Sequence, residues 1–366
     1  MLGLVYLFLV GIKLMGKSFV LLGEDFTEWL IACTSNPVVG LFIGVLATAI
    51  IRSSSLTTSI AVTCVAEGSL SLANAVPIVM GANIGTSVTN VLVSLIHIGR
   101  RDEFRRAFAG AIVHDLFNWC TVIVFFPLEW ILHATTGKGY LERLSLWLTD
   151  LFMGVDQPVG AFKPLEVIIK PVVDGCSWVF TDALNMTDGW AATLLIALSL
   201  VLLIAVLWGI TKVLRSLVEG KVEAFLDRYL FRNAFVAYMV GMTVTAIVQS
   251  SSVTTSLVVP LLGAGLLTIR QVYPYTLGAN VGTTITAFLA SLAVMTQSSL
   301  GFTIALVHLL FNLHGALVFY PLREIPIRGA LWYAALAAER PRYAAFFVLG
   351  VFFALPTVVI LIVQLF

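Results

Sequence analysis

Two runs of hydroxyl residues interrupt long apolar stretches of this chain. Residues 52–58 read RSSSLTT, and residues 249–255 read QSSSVTT. Hydroxyl groups are costly in an apolar setting unless they have partners. The serines could bond to carbonyls of their own helix, or pack where two helices cross. Because the run occurs twice in the same form, we favour another interpretation, in which each run marks a break in a helix.

A helix that starts at such a break offers free N–H groups and the positive end of its dipole. Serine hydroxyls add further donors, so two facing breaks could enclose a small tetrahedral anion. A break also frees carbonyl oxygens. Together with Thr and Gln side chains, these oxygens suit a hard cation such as sodium. The paired runs therefore predict an anion site with a cation beside it.

Each serine run is followed by a glycine motif, GANIGTS at 81–87 and GANVGTT at 278–284. Glycine relaxes the backbone, and asparagine tolerates the left-handed conformation. We therefore predict further helix breaks in both motifs. The residues expected to form them are Gly81, Asn83, Gly278 and Asn280. The alternative is simple close packing of helices through glycine and alanine.

The motifs belong to an internal repeat. Residues 44–59 align with 241–256 at a shift of 197, with ten of 16 positions identical. The glycine motifs align at the same shift. At a shift of 194, HDLFN at 114–118 meets HLLFN at 308–312. Three blocks in one order and at nearly one spacing indicate a duplicated unit.

Composition predicts a membrane protein. Of the 366 residues, 59% are hydrophobic and 11% are charged, whereas soluble domains carry about 25% charged residues. The net charge of +1 gives no reason to expect a nucleic-acid partner.

A bilayer span takes about 20 apolar residues. Candidate spans are 1–22, 72–98, 107–127, 191–211, 272–295, 302–322 and 343–365, and the two serine runs interrupt further apolar stretches at 38–66 and 235–266.

Loop charges predict the orientation, because Lys and Arg favour the cytoplasmic side. Residues 100–106 carry four Arg against two acids, and residues 212–232 carry five basic residues against three acids. Both segments should be cytoplasmic. Residues 128–190 carry four basic and eight acidic residues and should lie outside, as should the uncharged segment 296–301. The two repeats then enter the membrane from opposite sides, which is common in secondary transporters.

The predicted fold is an all-α, multi-pass protein of the cell membrane with two inverted repeats, each holding a broken or re-entrant helical hairpin with an SSS motif. Residues 1–127 form the first repeat, 128–190 an external loop, 191–322 the second repeat and 323–366 a C-terminal membrane-helix region. This architecture favours a secondary active transporter over an enzyme. An anion channel would need a continuous polar path, and a serine enzyme needs a base, which neither serine run has beside it.

Several segments resemble the type II sodium-dependent phosphate cotransporters, in the form of a short bacterial-type member. They are VMGANIGTSVTN at 79–90, DEFRRAFAGAIVHDLFNW at 102–119 and PLE at 127–129, and the paired SSS runs match the family's paired QSSS signature. The resemblance implies uptake of inorganic phosphate coupled to sodium, with no other cofactor. Another small oxyanion as substrate, or protons as the driving ion, are the alternatives. Oligomeric state and stoichiometry are left open.

The resemblance also implies which residues bind each solute. Phosphate is expected between the two serine runs, at Arg52, Ser53, Ser54, Ser55, Ser250, Ser251 and Ser252. Sodium is expected at Gln249, Ser250, Thr283, Thr286 and Ser55, with Thr86, Asp115 and Asn118 as further ligands.

Asp115 breaks the internal symmetry, since its counterpart in the second repeat is Leu309. An acid inside a membrane helix is by default a functional residue, and the resemblance implies a sodium ligand. The alternative is a structural partner for His114 or for an arginine. His114 and His308 are related by the repeat, and we interpret them as packing or helix hydrogen-bonding residues.

Arg52 stands where the resembled family has Gln. Its guanidinium is always charged and matches phosphate in geometry, so it should contact the anion or stand in for a cation. A lone Arg in a membrane needs a partner, and phosphate and Asp115 are the two candidates. Arg100 and Ala279 also depart from the family pattern, which predicts that a further sodium site near Asn118 is degraded.

Overall fold

All regular secondary structure is helical in the computed structural model, which describes residues 2–153, 163–229 and 233–365. Within these residues, seven helices are long and apolar enough to cross a membrane. They are Gly3–Thr34, Leu72–His97, Arg101–Thr136, Asp188–Gly209, Ile269–Val294, Leu300–Phe319 and Arg342–Val363. Each overlaps one predicted span, so the prediction of an all-α, multi-pass membrane protein is confirmed.

The helices follow one another in the same order in the two halves of the chain. Those of the first half are α1 Leu2–Thr34, α2 Pro37–Ile51, α3 Ser54–Ala66, α4 Leu72–Gly85, α5 Val88–Ser94 and α6 Arg101–Thr136. Two connecting helices follow, α7 Tyr140–Met153 and α8 Lys163–Trp178. Those of the second half are α9 Asp188–Tyr229, α10 Ala234–Val248, α11 Ser251–Ser256, α12 Val258–Gly263, α13 Ile269–Gly282, α14 Thr284–Val294 and α15 Leu300–Phe319. The chain ends with α16 Glu324–Glu339, α17 Arg342–Phe346 and α18 Leu355–Leu365.

Glycines bring α2 and α4 into backbone contact. A Cβ atom on Gly81 would overlap the carbonyl oxygen of Leu41, and one on Gly85 would approach that of Val45. Both contacts advance by four residues on each helix, so α2 and α4 run parallel. Since α3 ends just before α4 begins, α3 must return to the end at which α2 starts. We call this α2–α3 unit hairpin 1.

The second half repeats this arrangement. A Cβ atom on Gly278 would overlap the carbonyl oxygen of Tyr238, and one on Gly282 would overlap that of Met242. Helices α10 and α13 therefore run parallel as well, and α11 with α12 returns to the end at which α10 starts. We call α10–α12 hairpin 2.

Contacts between the halves show where each hairpin opens. Gly301, at the start of α15, packs against Val62 and Ala66 at the end of hairpin 1. Near the start of α6, the Arg106 side chain donates to the carbonyl oxygen of Gly263 at the end of hairpin 2, at 2.7 Å. The open end of a hairpin is the end at which its first helix begins and its last helix ends. The open end of hairpin 1 therefore lies beside the start of α15, and that of hairpin 2 lies beside the start of α6.

The segment 128–190, predicted as a loop, is mostly helical. Helix α6 passes through Pro127 and ends at Thr136, and α7 and α8 follow. Their apolar residues pack on the membrane helices, with Leu141 in the core beside α6 and Ile169 beside α1. Residues 154–162 of this segment, and 230–232 of the second basic segment, lie outside the described residues.

The predicted C-terminal membrane-helix region, 323–366, contains a further helix before the predicted span 343–365. Helix α16 precedes the last span and packs along α6, contributing Ile327 and Ala330 to the core. Its short apolar run, broken by Glu and Arg, falls below the length of a bilayer span, so the sequence analysis missed it.

Candidate functional site

Both serine runs form helix breaks with nearly the same backbone conformation. Arg52 ends α2 with φ 60° and ψ 28°, and Gln249 ends α10 with φ 55° and ψ 29°. The next residues, Ser53 and Ser250, are extended, with φ −148° and −152°. In the described part of the chain, Arg52 and Gln249 are two of only three non-glycine residues with positive φ. Such strain is retained where the surroundings require it, often at functional sites.

The first serine of each run caps the helix that follows. Ser53 Oγ accepts from the backbone N–H of Leu56 at 3.2 Å, and Ser250 Oγ accepts from that of Val253 at 3.3 Å. An N-cap hydroxyl satisfies one of the free N–H groups of a new helix. The first serines therefore build the break, and the oxygen of each of their hydroxyls already accepts one hydrogen bond.

The third serine of each run reaches across to the other repeat. Ser55 Oγ lies 3.4 Å from Thr283 Oγ1, and Ser252 Oγ donates to the carbonyl oxygen of Thr86 at 3.2 Å. Thr86 and Thr283 are equivalent positions of the two glycine motifs. Each hairpin is thus joined to the glycine motif of the opposite repeat.

The middle serines have hydroxyls without partners. Ser54 and Ser251 are 3% and 2% exposed, yet neither hydroxyl makes a hydrogen bond to any described residue. Both lie at the first position of a helix, where backbone N–H groups are also free. Of the three serines in each run, the middle one is therefore available to a ligand.

Two buried hydroxyls lie one turn from the Ser55–Thr283 contact, Thr58 Oγ1 after Ser55 and Thr286 Oγ1 after Thr283. Neither has a hydrogen-bond partner among the described residues. Gln249, a further candidate cation ligand, is half-buried at the second break. The side of the Ser252–Thr86 contact differs. There the repeat counterpart of Thr58 is Thr255, whose hydroxyl accepts a hydrogen bond from the Asn90 amide at 2.8 Å.

Asp115 is fully buried on α6, and neither of its carboxylate oxygens has a hydrogen-bond partner among the described residues. The alternative of a structural partner for His114 or an arginine is therefore wrong for this structure. Two other predicted sodium ligands are already engaged. Thr86 Oγ1 donates to Ala82 O at 3.1 Å, and Asn118 donates to Asn83 O at 2.7 Å.

The prediction that Gly81, Asn83, Gly278 and Asn280 form helix breaks is wrong, because all four lie inside α4 or α13 and none has positive φ. Each motif does contain a division between helices, but it falls later, at Thr86–Ser87 and at Thr283. The glycines serve the alternative role, since a side chain at either position would collide with the parallel helix. Close backbone packing also selects for glycine, so the motif alone could not distinguish the two roles.

The pairing of Arg52 with Asp115 is also wrong. Arg52 is exposed, whereas Asp115 is fully buried, and no ion pair joins them. Arg100 pairs with Glu103 at 3.0 Å on the surface and does not approach Asn118.

The sequence analysis missed the role of the two repeated histidines. His114 Nε2 lies 2.5 Å from Asn280 Oδ1, and His308 Nε2 lies 3.2 Å from Asn83 Oδ1. Each pair therefore joins one repeat to the glycine motif of the other. The third block of the internal repeat places His114 and His308 at equivalent positions. The distance along the chain from these histidines to the glycine motifs does not reveal that each histidine contacts the motif of the opposite repeat.

The fold and this site define a multi-pass helical membrane protein in which two helical hairpins carry serine helix breaks. A family model described as Na+/Pi-cotransporter matches residues 7–157 and 202–323. The chain belongs to this family, and the resemblance drawn from its motifs is confirmed.

Curated relatives cover nearly the whole chain. This chain is 35% identical to the rat sodium-dependent phosphate transport protein 2A over 423 residues, and 33% identical to the human sodium-dependent phosphate transport protein 2B over 454 residues. Each alignment covers 98% of this chain, which spans 66% and 64% of the length of these relatives. No solved structure shows a significant match.

Proposed function

We propose that this protein is a secondary active transporter that carries inorganic phosphate into the cell with sodium. The observation that carries the proposal is the division of roles among the three serines of each run. The first caps a helix, the third contacts the opposite repeat, and the middle one, Ser54 or Ser251, has a free hydroxyl. The names of the relatives, which are sodium-dependent phosphate transport proteins, support the choice of solutes.

Phosphate suits the two breaks for a physical reason. Each break offers a free serine hydroxyl, free backbone N–H groups and the positive end of a helix dipole. Phosphate has several strong acceptor oxygens, which can bind donors from two sides at once. We therefore propose the set predicted from the sequence, Ser53–Ser55 and Ser250–Ser252, as the phosphate-binding residues, with the direct hydroxyl contacts coming from Ser54 and Ser251.

Arg52 is proposed as an accessory phosphate ligand. It directly precedes the cap residue Ser53, and its exposed side chain has no ion pair or hydrogen bond to a described residue. A guanidinium can bind two phosphate oxygens at once. Its repeat counterpart, Gln249, carries no charge, so the two breaks would contribute differently to the anion site.

Sodium is proposed to bind beside the Ser55–Thr283 contact. Gln249, Ser250 and Thr286 would complete the set, and Thr58 is an additional candidate. What supports this side is that Thr58 and Thr286, one turn from Ser55 and Thr283, have buried hydroxyls without partners among the described residues. On the side of the Ser252–Thr86 contact, the Asn90 amide already donates a hydrogen bond to the hydroxyl of Thr255, the counterpart of Thr58.

Asp115 is proposed as the acidic ligand of a further sodium. A buried carboxylate with no hydrogen bond is strongly destabilised unless it takes up a proton or a cation lies near it, and the sodium dependence of the relatives favours the cation. Thr86 and Asn118 stay in the proposal as weaker ligands, because their side chains already have hydrogen-bond partners.

The inverted arrangement of the repeats is part of the proposal. Supporting it, hairpin 1 ends beside Gly301 at the start of α15, and hairpin 2 ends beside Arg106 at the start of α6. Helices α4 and α5 together form a single span between the mouth of hairpin 1 and the beginning of α6. Hairpins that open on opposite sides would let one central site face each side in turn.

Thermal unfolding of the purified protein tests the solute assignment. A ligand that binds only the folded state stabilises it, by about 2.7 kcal/mol at a concentration 100-fold above Kd. Phosphate should raise the unfolding temperature in sodium and have little effect in choline. Stabilisation by sulfate equal to that by phosphate would favour another oxyanion, and stabilisation without sodium would favour proton coupling.

A further inference from the structure

A chain of hydrogen bonds joins the two repeats at the centre of the molecule. Asn118 Nδ2 donates to the backbone carbonyl of Asn83 at 2.7 Å, and Asn280 Nδ2 donates to Asn118 Oδ1 at 2.7 Å. His114 Nε2 meets Asn280 Oδ1, and His308 Nε2 meets Asn83 Oδ1. All five side chains are at most 1% exposed. The network is therefore isolated from solvent.

The backbone fixes the direction of every bond. A carbonyl oxygen only accepts, so the amide nitrogen of Asn118 must face Asn83, and its oxygen must face Asn280. Asn280 then turns its own oxygen towards His114. Asn83 is fixed in the same way, since its Nδ2 donates to the carbonyl of Val79 at 2.9 Å. Both histidines therefore carry a proton on Nε2 and donate it.

Each asparagine lies one helical turn before a threonine that meets a serine run. Asn280 precedes Thr283, which contacts Ser55. Asn83 precedes Thr86 at the equivalent place in the first repeat. A histidine that holds the asparagine also fixes that turn of helix, and the turn sets the position of the threonine. The histidine comes from one repeat and the turn comes from the other.

We propose that His114 and His308 are positioning residues for transport, each acting on the opposite repeat. His114 places the turn that carries Thr283 at the sodium site. His308 places the turn that carries Thr86, whose carbonyl holds Ser252 of the second serine run. The identity of the two solutes rests on the proposed function, whereas the positioning itself does not.

Packing alone does not account for these histidines. The Nδ1 atoms of His114 and His308 are both buried and have no hydrogen-bond partner in the described part of the chain, which is costly for a polar group. An aliphatic side chain would fill the same space without that cost. Both positions nevertheless hold histidine, and both use Nε2 to bind an asparagine of the opposite repeat.

The two histidines should affect different solutes. His114→Leu should raise the half-saturating sodium concentration about three- to tenfold, the effect of one lost hydrogen bond, with a smaller change for phosphate. His308→Leu should mainly raise half-saturating phosphate, because it acts through Ser252. His114→Gln and His308→Gln keep a donor and should restore most of each loss. His314→Leu is the matched control, since His314 lies on α15 outside the network and bonds Leu310 and Tyr140.

The kinetic result that would overturn the proposal is a fall in maximal uptake with neither half-saturation shifted. Equal shifts in both variants, or no rescue by Gln, would also overturn it, because a purely structural contact behaves in that way.

A cross-linking experiment reads the positioning without transport. The Ser55 and Thr283 hydroxyls are 3.4 Å apart, so Ser55→Cys with Thr283→Cys should form a disulfide under mild oxidation, identified by peptide mass spectrometry. His114→Leu should lower the cross-linked fraction, and His114→Gln should restore it. Equal cross-linking in all backgrounds would contradict the positioning role. If cross-linking responds but the wild-type protein moves no phosphate, the positioning stands and the proposed function fails.

Discussion

The Oγ atoms of Ser55 and Thr283 lie 3.4 Å apart although 228 positions separate them in the chain. One belongs to the serine run of the first repeat, and the other to the glycine motif of the second. With Ser252 and Thr86 in the converse relation, each hairpin contacts the glycine motif of the opposite repeat. The proposals for phosphate and sodium both depend on these two contacts.

The middle serines should be the most sensitive to substitution. Ser54→Leu or Ser251→Leu should abolish phosphate uptake, because a bulky side chain fills the space of a free hydroxyl at the break. Ser251→Ala, which removes one hydrogen bond to a charged ligand, should weaken phosphate affinity roughly tenfold or more. Radiolabelled uptake, normalised to folded protein by size-exclusion chromatography, measures both.

Ser256→Ala provides the control for this experiment. Ser256 lies on the same helix, and its hydroxyl bonds only to the carbonyl of Val253 at 2.8 Å. Uptake by the control should stay near the wild-type level. Near-normal uptake by Ser251→Leu would refute an anion site between the two breaks.

Asp115→Asn should change sodium dependence more than folding. The substitution keeps the shape of the side chain and removes a charge that has no hydrogen-bond partner in the structure. We expect weaker stabilisation of the purified protein by sodium and a right-shifted sodium activation of uptake. Asp102→Asn, at the exposed start of the same helix, is the control. An unchanged sodium activation curve would assign Asp115 a structural role.

Arg52→Gln makes the first break resemble the second. A fixed positive charge repels a cation placed within a few ångströms, so its removal should steepen the sodium dependence of uptake. Loss of a two-pronged phosphate contact should also weaken phosphate affinity. Uptake measured across sodium and phosphate concentrations yields both quantities. If the sodium Hill slope and the phosphate affinity both stay the same, Arg52 takes no part in binding.

The inverted arrangement predicts opposite locations for two exposed positions, Arg105 and Gln297. A membrane-impermeant maleimide should label Gln297→Cys in intact cells, and should label Arg105→Cys only after permeabilisation. Wild-type cells provide the background from the native cysteines. Labelling of both positions from the same side would contradict the inverted arrangement.

Much of the fold followed from apolar length alone, because a bilayer span needs a long apolar stretch. The amphipathic helices α7 and α8 and the short α16 lack such a stretch, so they were missed. The duplicated serine runs located both helix breaks, since a repeated polar run in apolar sequence has few structural explanations.

Contacts between repeats could not be derived from the sequence. Gly81 and Gly278 were assigned to breaks because glycine serves both breaks and close packing, and only the three-dimensional structure shows the facing carbonyls. Asp115 was one of the two partners considered for Arg52, beside phosphate, because a charged residue in a membrane helix needs a partner. Arg52 is instead exposed at the end of α2, whereas its repeat counterpart Gln249 ends α10 in the same left-handed turn and is half-buried. The roles of His114 and His308 likewise depend on a crossing of the two repeats.

Phosphate uptake into proteoliposomes tests the central claim most directly. The purified protein is reconstituted without sodium inside, and radiolabelled phosphate is added outside with sodium chloride or with choline chloride. An inward sodium gradient should drive phosphate to a higher concentration inside than outside, and an added sodium ionophore should collapse that accumulation. A proton gradient in choline should not replace sodium. Phosphate entry that is equal in sodium and choline, or that never exceeds the outside concentration, would contradict sodium-coupled phosphate transport.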